Sequence, residues 1–336
     1  MDDGKWTRDQ AEQTPQRGPF SVPHQATAIT VVGAGLIGAS IAFALARAGY
    51  RVCVYDADLP GAAWRAGAGM LTPDGEGLHS GPLASIARAS LGLWPQFARD
   101  LEAHSGVAVH FREGVERLQA NGSRQMTPGE AQVHPPSVVQ AALTGLEVRR
   151  ERLSPASIVQ HPSPIVLATG AWSADFSLPV FPVQGQALLL DARHGAPALF
   201  GRRRRGSGAK GYTLCRPDGV YVGATVRQSD RPDPDPHAEQ WLRGMTRRLL
   251  PELADAPLRQ VLVGLRPCTL GGLPIVGPHP TLPNVFVATG HGRHGALLAP
   301  WTAREAVGWA RGYGPWAMGY GLMDIAVKDT EPLRPT

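Results

Sequence analysis

The sequence predicts an α/β chain (α+β overall) in which a parallel-sheet unit is interrupted by an antiparallel sheet. Three observations predict it. Residues 28–32 form a short, apolar, β-branched run. It is followed by Gly33-Ala-Gly35-Leu-Ile-Gly38, an alanine-rich stretch over 36–48, Gly49, and a second apolar run over 51–55 that stops at Asp56. Two later apolar runs, 165–170 and 284–290, repeat the pattern of a strand ending in glycine. Between them the period changes. Segments 183–190, 211–216 and 220–225 read as antiparallel strands, with Pro217-Asp-Gly219 as a hairpin turn.

Each part of the first segment has a physical role. A continuous apolar run suits a strand buried on both faces. Gly33 permits a tight turn, Gly35 lets backbone approach a pyrophosphate, and Gly38 lets helix pack on strand. The helix start offers free N–H groups and partial positive charge to phosphate. Asp56 follows Gly38 by 18 residues, where a carboxylate reaches a ribose hydroxyl. Strand, glycines, helix, strand and acid in register predict a dinucleotide site; the alternative is a glycine-rich turn in another α/β fold. Residues 59–72 are rich in small residues, lack a helical or strand period, and are too apolar for a surface loop. They suit backbone lying against a flat ligand; the alternative is a buried small-residue turn.

At 336 residues the chain suits two domains or one interleaved pair. No run approaches the ~20 apolar residues that span a bilayer, so no membrane span is expected. Residues 1–26 are polar and read as a disordered leader. Cys53, Cys215 and Cys268 form neither a metal cluster nor a disulfide framework, which fits a reducing cytoplasm and predicts no metal. The net charge of +5 raises nucleic acid as a partner, but arginine dominates as a composition bias. The one dense run, Arg202-Arg-Arg-Arg205, has no interleaved aromatic residues, and no nucleic-acid partner is expected.

Along the chain, residues 83–105 read as a helix with Ile86, Leu93, Trp94, Phe97 and Leu101 on one broad face. Strands and turns are expected over 107–122, short helical pieces over 126–130 and 136–143, and a short strand over 145–148. Residues 232–236 read as a rigid surface loop, 238–250 as an amphipathic helix, and 260–265 as a strand. A last helix starts at Ala296. The parallel unit is therefore discontinuous: 27–80, 131–180 and 264–325. Residues 81–130 and 181–263 form the second domain, and 326–336 a tail.

Several short motifs then occur in a recognisable order. They are the Gly33 motif, Ala68-Gly-Met-Leu71, Ala168-Thr-Gly-Ala-Trp-Ser173, Pro182-Val-Gln-Gly-Gln186, Gly264-Leu-Arg-Pro267, Gly272-Leu-Pro-Ile-Val-Gly277 and Gly290-His-Gly-Arg-His-Gly-Ala-Leu-Leu-Ala-Pro300. Over roughly residues 28 to 311 the chain resembles the FAD-dependent D-amino-acid oxidase superfamily, and within it the glycine-oxidase (ThiO-type) members. The last block is the most specific part of that match. The resemblance implies a Rossmann-like FAD-binding domain interleaved with an antiparallel-sheet substrate domain, of the glutathione-reductase and D-amino-acid-oxidase type. It implies oxidation of a small amino acid to its imine, with hydride passing to FAD and dioxygen as acceptor, giving peroxide. With glycine, the product would feed the thiazole branch of thiamine biosynthesis.

The same resemblance assigns residues. Arg266 matches the substrate arginine, and guanidinium suits bidentate carboxylate binding; the alternative is a surface ion pair. Tyr212 matches the tyrosine that helps hold the carboxylate; the alternative is a core strand aromatic. Arg293 lies in the glycine-rich loop over the flavin. Thr72 and Val226 fall at pocket positions, and Thr72 is expected to narrow the pocket toward glycine or sarcosine. Cofactor contacts are expected from Gly33, Ala34, Gly35, Leu36, Ile37, Gly38, Asp56 and Ala57. Further contacts are expected from Ala68, Gly69, Met70, Leu153, Thr169, Gly170 and Trp172, and from His291, Gly292, Arg293, His294, Gly295, Ala296 and Leu297. Cys268 is not aligned with the flavin-linking cysteine of sarcosine oxidases, so noncovalent FAD is expected. Homo-oligomerisation is left open. The competing readings are a D-amino-acid dehydrogenase that reduces a quinone, a sarcosine-oxidase-like enzyme, a noncatalytic FAD scaffold, and an NAD-linked dehydrogenase.

Overall fold

The computed structural model describes residues 28–118, 123–193, 199–201, 211–282 and 284–312. The expected leader, the arginine run 202–205 and the tail lie outside the described residues. β1 (Ala28–Val32), α1 (Leu36–Arg47) and β2 (Arg51–Tyr55) form where the apolar runs and the alanine-rich stretch predict them. A 3-10 turn at Ala63–Ala66 and the short β3 (Met70–Leu71) precede α2 (Gly81–Ser105). Pro82 suits the first turn of α2, and Gly106, at φ 70°, ends it in the left-handed region. Then come β4 (Arg112–Leu118), β5 (Arg124–Gln132), α3 (Pro135–Leu143), β6 (Glu147–Arg149), α4 (Pro155–Val159) and β7 (Ile165–Leu167). The strand-rich part contains β8 (Phe181–Leu190), β9 (Leu199–Gly201), β10 (Gly211–Arg216), β11 (Gly219–Gly223), β12 (Arg227–Gln228), α5 (Pro236–Leu249) and β13 (Leu258–Cys268). β14 (Ile275–Pro278), β15 (Val285–Thr289) and α6 (Gly295–Ala310) close the described chain.

Among the described residues the strands form two sheets. The first has the order β14-β15-β7-β1-β2-β6, parallel except for the antiparallel edge strand β14. Its central strand β1 lies between β2 and β7, and β15 comes from the far end of the chain to pair with β7. Val31, Val54, Val166, Val287 and Phe286 have no exposed surface, as expected for a sheet covered on both faces. On one face α1 packs with α6, and its small side chains allow close approach; Ile41, Ala42, Leu45 and Ala306 are buried there. α2 packs along α6 and α3 through Trp94, Ala98 and Leu101. On the other face Val32, Leu153, Ile158 and Leu167 form a smaller core under α4.

The second sheet runs β12-β8-β11-β10-β9-β4-β5-β3, with β13 also paired along β8. The hairpin expected at Pro217-Asp-Gly219 joins β10 to β11, with Tyr212 opposite Gly223 and Leu214 opposite Tyr221. Residues 126–130, expected to be helical, belong instead to β5. They pair with β4, placing Met126 against Glu116 and Thr127 against Val115, with a register shift between Glu113 and Val115. A strand partner upstream overrides a short local preference, as is usual for sheets. β14 and α4 are elements that the sequence pattern did not single out. No helix among the described residues is long and apolar enough to cross a membrane.

Candidate active site

A cavity of about 1440 Å³ lies between the carboxyl edge of the first sheet and the face of the second. Its walls divide into a half suited to a dinucleotide and a half suited to a small acid.

The first half is built largely from backbone. Gly33, at φ 106°, sits against β7: a Cβ there would lie 2.3 Å from the Ala168 carbonyl oxygen. A Cβ on Gly38 would lie 1.8 Å from the Gly33 carbonyl oxygen. These two glycines therefore let α1, the turn and β7 meet, as the spacing predicts. Gly35 caps α1 with no side-chain hydrogen bond, leaving the helix start open to an anion. One oxygen of Asp56 accepts from the Ala34 amide and the other from the Asp58 amide at 2.7 Å. Arg150 approaches Asp56 at 3.5 Å. The glycine cradle, the uncapped helix start and a carboxylate at the end of β2 together fit FAD.

Most of the expected cofactor residues line this cavity: Gly33, Gly35, Leu36, Ile37, Asp56, Ala57, Ala68, Gly69, Met70, Leu153, Thr169, Gly170, Trp172, His291, Gly292, Arg293, Gly295 and Ala296. Four others stand behind it. Ala34 binds Asp56 through its amide, Gly38 packs beneath Gly33, His294 precedes α6, and Leu297 is buried in the helical core. Burial, with a smaller contribution from His294, pushes His291 down to about 3. Burial and then Arg293 push His294 down to about 4. Both rings are neutral near pH 7, and His291 is tied to Thr302 at 3.0 Å. They shape the loop and add no charge to it.

The second half is built from side chains. Arg266, on β13 opposite Val183 of β8, lies flat over Gly185; a Cβ there would be 2.2 Å from Nη2. Its Nη1 donates to the carbonyls of Gln184 and Thr225 at 3.3 and 3.2 Å. Among the described residues no carboxylate pairs with it. Tyr212 faces the same cavity, and burial, the largest influence, pushes its phenol well up, so it remains an O–H donor. Arg293 also lines the cavity, but it is half-exposed and forms an ion pair with Glu76, whose backbone carbonyl accepts from Nη2 at 3.2 Å.

The two pocket positions differ in placement. Val226 stands at the mouth, 71% exposed. Thr72 is fully buried and is not on the cavity wall, and its hydroxyl has no partner. It therefore has no surface with which to narrow the pocket. The structure also adds residues that the sequence reading missed. Trp64 stands over Gly35, Glu76 engages Arg293, Tyr221 lies beside Tyr212, and Trp241 of α5 joins Val226 at the mouth. Only Tyr221 had a usable signal, because the Pro217-Asp-Gly219 turn fixes the hairpin register and hence its neighbours.

A cavity that fits FAD at one end and presents at the other a guanidinium with no carboxylate partner among the described residues suits an FAD-dependent oxidoreductase. The chain belongs to the DAO family of FAD dependent oxidoreductases, whose model matches residues 28–143 and 126–309. It is 31% identical over 335 residues to the bifunctional protein ThiO/ThiG of Trichormus variabilis, covering 82% of this chain and 51% of that protein. The chain thus spans about half the length of the bifunctional relatives it matches. It is 29% identical to the glycine oxidase of Pseudomonas aeruginosa, covering 82% of this chain and 92% of that enzyme. Among solved structures, glycine oxidase from Geobacillus kaustophilus has a TM-score of 0.75 at 22% identity, covering 91% of this chain and all of that one. Iminodiacetate oxidase from Chelativorans sp. BNC1 has a TM-score of 0.71 at 20% identity, covering 85% of this chain and 96% of that one. These structural likenesses concern the fold.

Proposed function

We propose that the protein oxidises glycine, and small amines such as sarcosine, to the imine with release of hydrogen peroxide, for the thiazole branch of thiamine biosynthesis. The observation that carries this reading is Arg266. A guanidinium partly enclosed in an FAD cavity, without a carboxylate partner among the described residues, is matched to a carboxylate brought by a ligand. Nη1 is held by two carbonyls, which fixes the plane of the fork and leaves Nε and Nη2 for the ligand. Tyr212 adds a neutral O–H donor beside it. Bound in this cavity, FAD supplies the hydride acceptor. The chain's own residues then have to hold the carboxylate, exclude competing ligands and leave the amine uncharged. The relatives named glycine oxidase and ThiO/ThiG support glycine as substrate and the thiamine link.

Val226 and Trp241 form an apolar mouth, which favours a substrate carrying an N-methyl group as a second substrate. FAD is held without a covalent bond in this reading: burial raises the Cys268 thiol, so the nucleophilic thiolate is scarce. The three free cysteines accord with a cytoplasmic setting.

The test is anaerobic mixing of the FAD-loaded protein with glycine, sarcosine, D-alanine and D-proline, following flavin absorbance near ~450 nm. Bleaching by glycine and recovery in air with peroxide is the expected result. Bleaching by D-proline or D-alanine alone would replace glycine with a larger substrate, and recovery only with a quinone would replace the oxidase with a dehydrogenase.

A further inference from the structure

We propose that Tyr221 and Arg216 are positioning residues that couple the carboxylate-binding Tyr212 to the cofactor loop at Ala66 and Gly67, an inference that rests on the functional reading above. Tyr212 and Tyr221 lie side by side on the β10–β11 hairpin, ring centroids 6.0 Å apart and planes within 9°. Gly223 makes the arrangement possible. A Cβ there would stand 2.9 Å from the Tyr212 hydroxyl oxygen and 2.5 Å from Cε1 of Tyr221. The stack brings the two phenol groups side by side in the same buried pocket. The Tyr221 hydroxyl in turn donates to the Ala66 carbonyl at 3.0 Å.

Arg216 secures the next carbonyl. Its Nη1 donates to Gly67 at 3.0 Å, while Nε and Nη2 grip Asp218 at 2.9 and 2.6 Å. The same guanidinium lies over the Tyr221 ring, 5.3 Å from its centroid. Its side chain is 3% exposed and is not on the cavity wall. A charged group this enclosed, satisfied on every side and out of reach of a ligand, acts through what it holds. Arg216 and Tyr221 together hold two consecutive carbonyls of the loop whose next residues, Ala68 to Met70, line the cavity.

Ligand binding acts on this relay of a ring stack and a hydrogen bond. A carboxylate is a strong acceptor, so an arriving substrate engages the Tyr212 hydroxyl and with it the ring stacked on Tyr221. Tyr221 passes that change on through its donation to Ala66. Occupation of the carboxylate site is thereby felt at the cofactor loop.

The test uses FAD-loaded wild-type, Tyr221→Phe and Arg216→Lys proteins titrated with acetate, a carboxylate that cannot be oxidised, while the flavin difference spectrum is recorded. Tyr221→Phe keeps the ring stack and removes the hydroxyl bond to Ala66. The expected result is a smaller acetate-induced flavin spectrum. Acetate dissociation constant and KM for glycine should rise about two- to tenfold with little change in kcat, the scale of one hydrogen bond. Arg216→Lys, whose single ammonium cannot serve both Asp218 and Gly67, should shift the same readouts; if it fails to fold, Tyr221→Phe decides. A merely structural role would lower melting temperature without changing the flavin response. Wild-type acetate affinity and difference spectrum in Tyr221→Phe would overturn the coupling alone. A wild-type holoenzyme that glycine does not bleach would overturn the functional reading, and the coupling with it.

Discussion

The two halves of the cavity are made in different ways. At the dinucleotide end, Gly33, Gly38 and the amides of Ala34 and Asp58 act through backbone, packed so closely that one added carbon collides with a neighbouring carbonyl. At the acid end, Arg266, Tyr212, Arg293 and Glu76 act through side chains carried by four separate segments. The first half tolerates almost no change in volume but has little chemistry to alter. The second is also tightly packed, at Gly185 and Gly223, but there the neighbours are side chains, and the charges differ in whether they are already paired. Arg266 has no acidic partner among the described residues, whereas Arg293 has Glu76.

The largest effect is expected at the backbone half. Gly38→Ala places a methyl 1.8 Å from a carbonyl oxygen, so the helix must shift. Overpacking of this kind costs about 1–3 kcal/mol or more, and the protein should purify without bound flavin and with a lowered melting temperature. A yellow, fully loaded Gly38→Ala protein would show that the cradle is softer than its contacts imply.

Arg266→Ala should come next. FAD content should be retained while kcat/KM for glycine falls on the order of 10²-fold, the scale of losing a charged hydrogen-bond partner in an enclosed site. Gly185→Ala sharpens the point without removing the charge: its methyl displaces the guanidinium, and KM should rise more than kcat falls. Equal losses in flavin content for both variants would erase the distinction between the halves.

Acid should destabilise the loop that joins them. His291 and His294 are held down to about 3 and about 4, against about 6.5 in the unfolded chain. Their neutral burial is unopposed above pH 6.5, and stability is lost as pH falls below that value, because the unfolded chain then binds the protons. At pH 5 the loss is about 2 kcal/mol for each histidine. Denaturant melts at pH 7 and pH 5 measure it, and His294→Asn should remove about half of the difference.

Arg293→Ala should have the smallest effect on substrate. Its charge is already engaged by Glu76 and half of its side chain meets solvent, so a change of only a few fold in KM is expected. A loss as large as that of Arg266→Ala would mean that Glu76 releases Arg293 to the substrate and that the two guanidiniums act as a pair.

Much of the dinucleotide half was legible because it is local. Strand, three glycines, helix, strand and Asp56 lie within one continuous segment, and steric rules for glycine and helix ends apply wherever that segment folds. Arg266 and Tyr212 could be named from motifs, but their partners could not. The misreading of 126–130 has the same origin, since nothing within those residues reveals that β4 will pair with them. Thr72 has a pocket position by sequence, yet the turn of the chain after β3 buries it.

The sequence by itself determined the parallel sheet, the glycine cradle that fits FAD and the presence of a guanidinium at the end of the strand that reaches the cavity. Each depends on periodicity, on glycine's missing Cβ, or on the fixed chemistry of a residue type. Only the tertiary structure decided which arginine is already paired, that Thr72 is enclosed, and that Tyr221 stands between Tyr212 and the cofactor loop. Those facts depend on distances between segments far apart in the chain, and such distances are set by how the two sheets pack.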